Sequence, residues 1–238
     1  MSQTTIARTR QVLGVSSVDR NVVVPGEHWL TAVPRFACYT VLFFLVLLLL
    51  PRFAAPGDIT DFKEGAIVED LQLTILAIAA ALAIGAGRIR SGSPMLVLLG
   101  GLTCLALVRE LDHWFDSLIP AVGWQGPAAS VLLVTLLLVW KDRTTFVIEA
   151  REFLSGRSFG VLWAGVIVAI PFAQLVGHSH FLEAIMGDDY DRSYKRVIEE
   201  TGEFAGYLII ALGIFESVLD LRRRGMLREL QRESSDLK

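Results

Sequence analysis

Residues 36–50 read FACYTVLFFLVLLLL, an apolar run that contains no charged side chain. Arg35 precedes this run, and Pro51 and Arg52 follow it. A run of this kind is typical of a helix that crosses a lipid bilayer, because flanking arginines extend to the headgroups and lengthen the span. The first 50 residues therefore already predict a membrane protein.

Five further apolar blocks follow along the chain. They cover residues 71–87, 94–108, 126–140, 159–177 and 204–219. Only helices and closed barrels satisfy the backbone inside lipid, and these blocks lack the alternation of membrane strands. The sequence predicts an all-α, polytopic membrane protein with six transmembrane helices.

The composition supports this class and excludes others. Hydrophobic residues make up 53% of the chain, charged residues 20%, and the mean hydropathy is +0.52. This excess over a soluble domain argues against a disordered chain, and two cysteines are too few for a disulfide scaffold. The net charge of −3 argues against nucleic acid as a partner. The lipid bilayer is the expected surrounding.

The basic residues predict the orientation. Sixteen of the 22 Lys and Arg residues fall on the side that holds both termini if there are six spans. The positive-inside rule then places both termini in the cytoplasm, which indicates the plasma membrane, in a bacterium the inner membrane. The predicted domains are a cytoplasmic arm (1–33), the six-helix membrane domain (34–220) and a basic cytoplasmic tail (221–238).

Acidic residues collect at the opposite, outward side. Helix two begins with Glu69 and Asp70, and Glu69 shares a helix face with Gln72, three residues later. These acids either belong to a site or complement the helix dipole at the headgroup layer.

Helix three leaves the membrane through RELDH, residues 109–113. Glu110 and His113 form Glu-x-x-His, a spacing that suits metal ligation when both residues lie on one helix. Arg109 is within reach of Asp112. The alternative interpretation is an ion pair with an interfacial belt of histidine and tryptophan.

Helices five and six add further histidine and carboxylate side chains. His178 and His180 follow helix five, and imidazole is the commonest neutral metal ligand. Helix six begins with Glu199, Glu200 and Glu203. The alternative interpretation of the two histidines is a polar rim. Deeper in helix six, Glu216 is expected to form an ion pair with nearby Arg222 or Arg223.

Four helices thus bring ionisable groups to one boundary, and close carboxylates repel one another or take up protons unless a cation is shared among them. We expect a divalent metal, with Zn, Fe or Mn compatible with mixed ligands. The candidate ligands are Glu69, Glu110, His113, His178, His180 and Glu203, with Glu200 as a substitute and Arg109 and Asp112 as supporting groups.

Three functions remain open from the sequence. In the first, a metal-bound water hydrolyses a lipid or lipid-linked substrate, Glu110 or Glu203 is the general base, and Arg109 binds an anionic headgroup. In the second, the chain is a non-catalytic assembly, sensor or partner-binding subunit that docks a membrane or periplasmic protein. In the third, it transports a proton or cation, although few polar side chains lie between Glu203 and Glu216.

Overall fold

The computed structural model describes residues 29–53 and 67–236, and within these ranges the chain forms helices and no strands. The helices are α1 Trp29–Phe53, α2 Ile67–Gly85, α3 Pro94–Glu110, α4 Asp112–Leu118, α5 Gln125–Lys141, α6 Arg143–Leu154, α7 Arg157–Ile167, α8 Ala173–Val176, α9 Ser179–Met186 and α10 Arg192–Asp236. The π-helical segment Ala86–Ser91 follows α2, and a second one, Val168–Phe172, joins α7 to α8. The predicted N-terminal arm up to residue 28 lies outside the described residues.

Several helices have the length and apolarity that a membrane span requires. The described residues contain four such segments, Thr31–Leu50, Ile67–Arg88, Arg157–Val176 and Arg192–Leu221. Helices α3 and α4 meet at a bend of 68° and supply a fifth if the pair is one span. Helix α5 is apolar but shorter. The all-α prediction is confirmed for the described residues, and each of the six predicted blocks falls on helix, although only four or five helices meet the length criterion.

The apolar surface is consistent with lipid around the bundle. Along α1, Leu42, Phe44 and Leu48 are largely exposed, and Leu133 and Leu137 are exposed along α5. Soluble monomers rarely expose contiguous apolar faces of this extent. These faces are therefore compatible with a multi-pass membrane protein.

Helix α10 lies at the centre of the helix packing. It packs against α7, α8 and α2, while α2 packs against α3 and α3 packs against α5. Residues from Arg35 onward form one compact unit, and the described part of the preceding unit is the start of α1, residues 29–34. The core runs along α10 through Phe204, Tyr207, Ile214 and Val218.

Small residues allow α7 and α10 to approach closely. A Cβ on Gly206 would overlap the backbone of Ala169, and one on Gly165 would lie 2.7 Å from the Ile210 amide nitrogen. One on Gly213 would lie 2.8 Å from the Leu162 Cα atom. Close backbone approach through small residues is the usual means by which helices associate in membranes.

Local capping fixes where two of the helices begin. Ser93 accepts a hydrogen bond from the Leu96 amide ahead of Pro94, the first residue of α3. The Glu149 carboxylate of α6 accepts from the Ser93 hydroxyl at 2.7 Å. Asp191 accepts from the Ser193 amide at 2.7 Å at the start of α10, and the hydrogen bonds from Ser193 lower the pKa of Asp191.

Candidate functional site

Parts of three helices meet at the place where the sequence predicts a site. They are the beginning of α2, the end of α3 and the first half of α10. We define the acid cluster as Glu69 and Gln72 of α2, Arg109 and Glu110 of α3, and Glu200, Glu203 and Tyr207 of α10. The cluster lies above the apolar layer formed by Leu76, Ala169 and Tyr207.

A hydrogen-bonded triad links α3 to α10. The Tyr207 hydroxyl donates to Glu110 Oε1 at 2.7 Å, and Arg109 Nη1 donates to the same oxygen at 3.0 Å. Arg109 Nη1 also lies 3.1 Å from the Tyr207 oxygen. Because Glu110 accepts from both donors, its carboxylate is fixed in place beside the core.

Glu203 adds a second carboxylate to the same guanidinium. Arg109 Nη2 lies 3.4 Å from Glu203 Oε1. The Arg109 side chain is 47% exposed, whereas those of Glu110 and Glu203 are only 10% and 12% exposed. Arg109 therefore forms the solvent side of the cluster, and the carboxylates lie beneath it.

Negative charge exceeds positive charge in the acid cluster. Its four carboxylates are Glu69, Glu110, Glu200 and Glu203, and Arg109 is its single basic side chain. Glu69 is close enough to Glu110 and Glu200 to repel both. Lys195 forms an ion pair with Glu199, four residues further along α10, with Nζ 3.7 Å from Oε1. Arg109 pairs with Glu110 and Glu203, and no basic side chain among the described residues pairs with Glu200, so the cluster favours either a bound cation or a proton on one of its carboxylates.

Gln72 is the most buried member of the cluster. Its side chain is fully buried, and its Nε2 donates to the Glu200 carbonyl oxygen at 3.2 Å and to Glu200 Oε2 at 3.1 Å. The other end of the amide, Oε1, has no hydrogen-bond donor among the described residues. An unsatisfied buried acceptor costs free energy, commonly about 1–3 kcal/mol.

The structure separates the predicted site residues into two groups. Glu69, Glu110 and Glu203 come together as expected, and Glu200 joins them. Arg109 contacts Glu110 and Glu203, and Asp112 instead accepts a hydrogen bond from the His113 amide. The three carboxylates at the centre of the prediction are therefore neighbours.

The three histidines remain on the surface. His113, His178 and His180 are exposed, and His180 Nδ1 lies 3.7 Å from Glu183 Oε2. The predicted Glu-x-x-His pair assumed a straight helix, but α3 ends at Glu110 and α4 begins after a 68° bend. Glu110 and His113 consequently do not share one continuous helix face.

No metal centre is formed by the side chains that the structure describes. Among the described side chains, no group of three or more His, Cys, Asp or Glu residues is arranged to hold a metal ion. The acid cluster offers carboxylate and amide oxygens spaced for hydrogen bonding, together with a tyrosine hydroxyl. This chemistry suits the binding of a cation that donates hydrogen bonds.

A second buried polar contact lies further along α10, at Glu216. Arg35 of α1 forms a bidentate ion pair with Glu216, with Nε 2.6 Å from Oε1 and Nη2 2.9 Å from Oε2. The Tyr39 hydroxyl donates to Glu216 Oε1 at 2.6 Å. The sequence did not predict this partner from α1, because only the nearby Arg222 and Arg223 were considered.

Two members of the cluster were not predicted from the sequence as site residues. Gln72 shares a helix face with Glu69, and Tyr207 follows Glu203 by four residues, so both positions were visible as helical neighbours. A buried glutamine and tyrosine within apolar blocks are the signal that could have identified them.

With this geometry described, the chain was compared with known proteins. No family model, no curated protein and no solved structure matches it.

Proposed function

We propose that the chain is a six-span protein of a bacterial plasma membrane, with both termini in the cytoplasm, that binds a cationic ligand in its outward-facing acid cluster. The observation that carries the proposal is the charge balance of the cluster. Glu110 and Glu203 share one half-exposed guanidinium, and neighbouring Glu200 pairs with no basic side chain among the described residues.

Contacts between helix ends support the alternating topology. Arg35, near the start of α1, contacts Glu216 toward the end of the apolar part of α10, and Leu50 near the end of α1 packs with Val68 and Phe204. Helix α1 thus runs antiparallel to α10, which fits the excess of basic residues on one side. Helix α5 and the bent pair α3–α4 bring the number of spans to six.

Metal-dependent hydrolysis of a lipid or lipid-linked substrate stays a prediction of the sequence. It requires ligands that leave a metal position open to water, commonly three protein side chains. The exposed histidines and the bend after Glu110 argue for ligand binding instead. A partner-binding role is the second candidate, because Trp114, Leu118 and Ile185 on the short helices α4 and α9 are exposed.

Thermal unfolding of the purified full chain with a panel of cations tests the binding proposal. The panel contains ethanolammonium, tetramethylammonium, spermidine, Mg²⁺, Ca²⁺ and Mn²⁺. A ligand present at 100 times its Kd stabilises the folded state by about 2.7 kcal/mol, which raises the Tm of a chain this long by roughly 5–11 °C.

The matched variants separate the cluster from general surface charge. Glu110→Gln combined with Glu203→Gln is expected to abolish the Tm increase. Asp188→Asn removes one negative charge from an exposed position and is expected to leave the increase unchanged. If no cation stabilises the wild-type chain, the binding proposal is wrong.

A further inference from the structure

We propose that the cation is a primary ammonium group, bound beside Gln72 between the amide oxygen of that side chain and the Glu200 carboxylate. This inference rests on the proposed function and specifies its ligand. An aminolipid headgroup and a small soluble amine share this ammonium chemistry.

The Gln72 amide is the observation that points to a donor. Its Nε2 already donates to two oxygens of Glu200, which fixes the orientation of the amide inside the cluster. Its Oε1 is completely buried without a donor among the described residues. A bound group that donates a hydrogen bond to Oε1 would remove the cost of this unsatisfied acceptor.

Glu200 supplies the negative charge next to that acceptor. No basic side chain among the described residues pairs with Glu200, whereas Glu110 and Glu203 both contact Arg109. Glu69 and Glu203 lie close enough to Glu200 to increase the local negative potential. The unbalanced charge and the unsatisfied acceptor therefore belong to the same side of the cluster.

Distances favour an ammonium over a metal ion. Metal–oxygen bonds are roughly 2.0–2.6 Å long and require several ligands to converge on one point. The described side chains provide no such group of three ligands. Charged N–H···O hydrogen bonds are longer, about 2.7–2.9 Å, and an ammonium can direct three of them to separate acceptors.

Arg109 shows how the cluster contacts a hydrogen-bonding cation. Its guanidinium donates to Glu110, Glu203 and the Tyr207 oxygen at 3.0, 3.4 and 3.1 Å. It occupies the exposed side and leaves the buried side, where Gln72 and Glu200 lie, to another donor.

The experiment compares ethanolammonium with tetramethylammonium, which has the same charge but no N–H donor. With the purified full chain in detergent, we expect ethanolammonium to raise the Tm by several degrees and tetramethylammonium to change it by less than one-fifth as much. Nanodiscs with and without phosphatidylethanolamine form a second arm. A Tm increase only in the nanodisc arm assigns the ammonium to a lipid, and an increase with free ethanolammonium assigns it to a soluble amine.

Two variants connect the effect to the proposed contacts. Gln72→Leu removes the unsatisfied oxygen, and Glu200→Gln removes the negative charge while keeping the shape of the side chain. Both are expected to abolish the ethanolammonium response, and Glu183→Gln, on an exposed helix outside the cluster, is expected to retain it. If Gln72→Leu does not fold, Glu200→Gln alone decides.

The outcomes distinguish this inference from the proposed function. Equal stabilisation by tetramethylammonium, or stabilisation by a divalent metal alone, overturns the ammonium assignment and leaves a cation site. The absence of stabilisation by any cation or aminolipid overturns both.

Discussion

At the scale of single residues, Tyr207 has a more specific role than its place in an apolar block would indicate. Its hydroxyl donates to Glu110 at 2.7 Å and lies 3.1 Å from the Arg109 guanidinium. The hydroxyl therefore positions the carboxylate and guanidinium that join α3 to α10. A phenylalanine at this position would keep the packing but lose these contacts.

We expect Tyr207→Phe to lower the free energy of unfolding by about 1–3 kcal/mol, because Glu110 loses a donor in a buried position. Chemical denaturation in detergent measures the change. Tyr194→Phe is the matched control, since Tyr194 is exposed on the same helix. Equal effects of the two substitutions would contradict the assigned hydrogen bond.

The ion pair between Arg35 and Glu216 gives a second prediction at this scale. Removing one partner leaves a buried charge uncompensated, so Glu216→Ala is expected to cost roughly 3–5 kcal/mol. The double variant Arg35→Met, Glu216→Leu replaces both charges with apolar side chains and should recover most of that loss. Arg143→Met, at an exposed position, is the control.

Unfolding midpoints of the three variants in detergent test this coupling. A double variant as unstable as Glu216→Ala would show that the ion pair itself, not the uncompensated charge, determines stability at this position.

At the scale of helices, hydrophobic blocks predicted where helices form but not where they bend. All six predicted blocks coincide with helix, because apolar runs of this length have few other structures in lipid. The apolar pattern does not predict the break at Leu111 or the π-helical segment around Pro171, because both depend on local backbone geometry. The first break separates Glu110 from His113, two residues that the sequence predicts on one helix face.

The contact of α10 with α7 and the π-helical segment that follows α7 carries a third prediction. Gly206→Ala would place a Cβ on the Ala169 backbone, and the helices would have to separate, at a cost of about 1–3 kcal/mol. Gly160→Ala meets no atom within 4 Å and lies in α7, so it should be neutral or stabilise by up to about 1 kcal/mol.

Thermal unfolding of both alanine variants in the same detergent measures this difference. If Gly206→Ala were as stable as Gly160→Ala, the close approach of the two helices would be contradicted.

At the scale of the whole molecule, α10 connects two polar contacts through an apolar core. The acid cluster lies near its beginning, and the Arg35–Glu216 pair lies thirteen residues beyond Glu203, about 20 Å along a helix. Buried Ile214 and Val218 belong to the core around the second contact. This separation favours a binding site at one face over a continuous polar path across the bundle.

The carboxylate part of the site could be predicted because acids at helix ends are few and the helices alternate in direction. Glu69, Glu110 and Glu203 were identified in this way. Gln72 and Tyr207 required the structure, because burial of a polar side chain depends on which faces the neighbouring helices present. The pairing of Glu216 with Arg35 likewise depends on the position of α1, which sequence periodicity does not define.

The most direct test of an outward-facing cation site is labelling of introduced cysteines in intact cells with a membrane-impermeant maleimide. In a chain with Cys38 and Cys104 replaced by alanine, Asp70→Cys marks the exposed position beside the acid cluster, and Thr144→Cys marks the opposite side. We predict that Asp70→Cys is labelled, that external ethanolammonium slows this labelling, and that Thr144→Cys is labelled only after the cells are permeabilised. Two results would contradict the claim. In the first, Thr144→Cys is labelled in intact cells while Asp70→Cys is protected. In the second, Asp70→Cys is labelled at a rate that no cation changes.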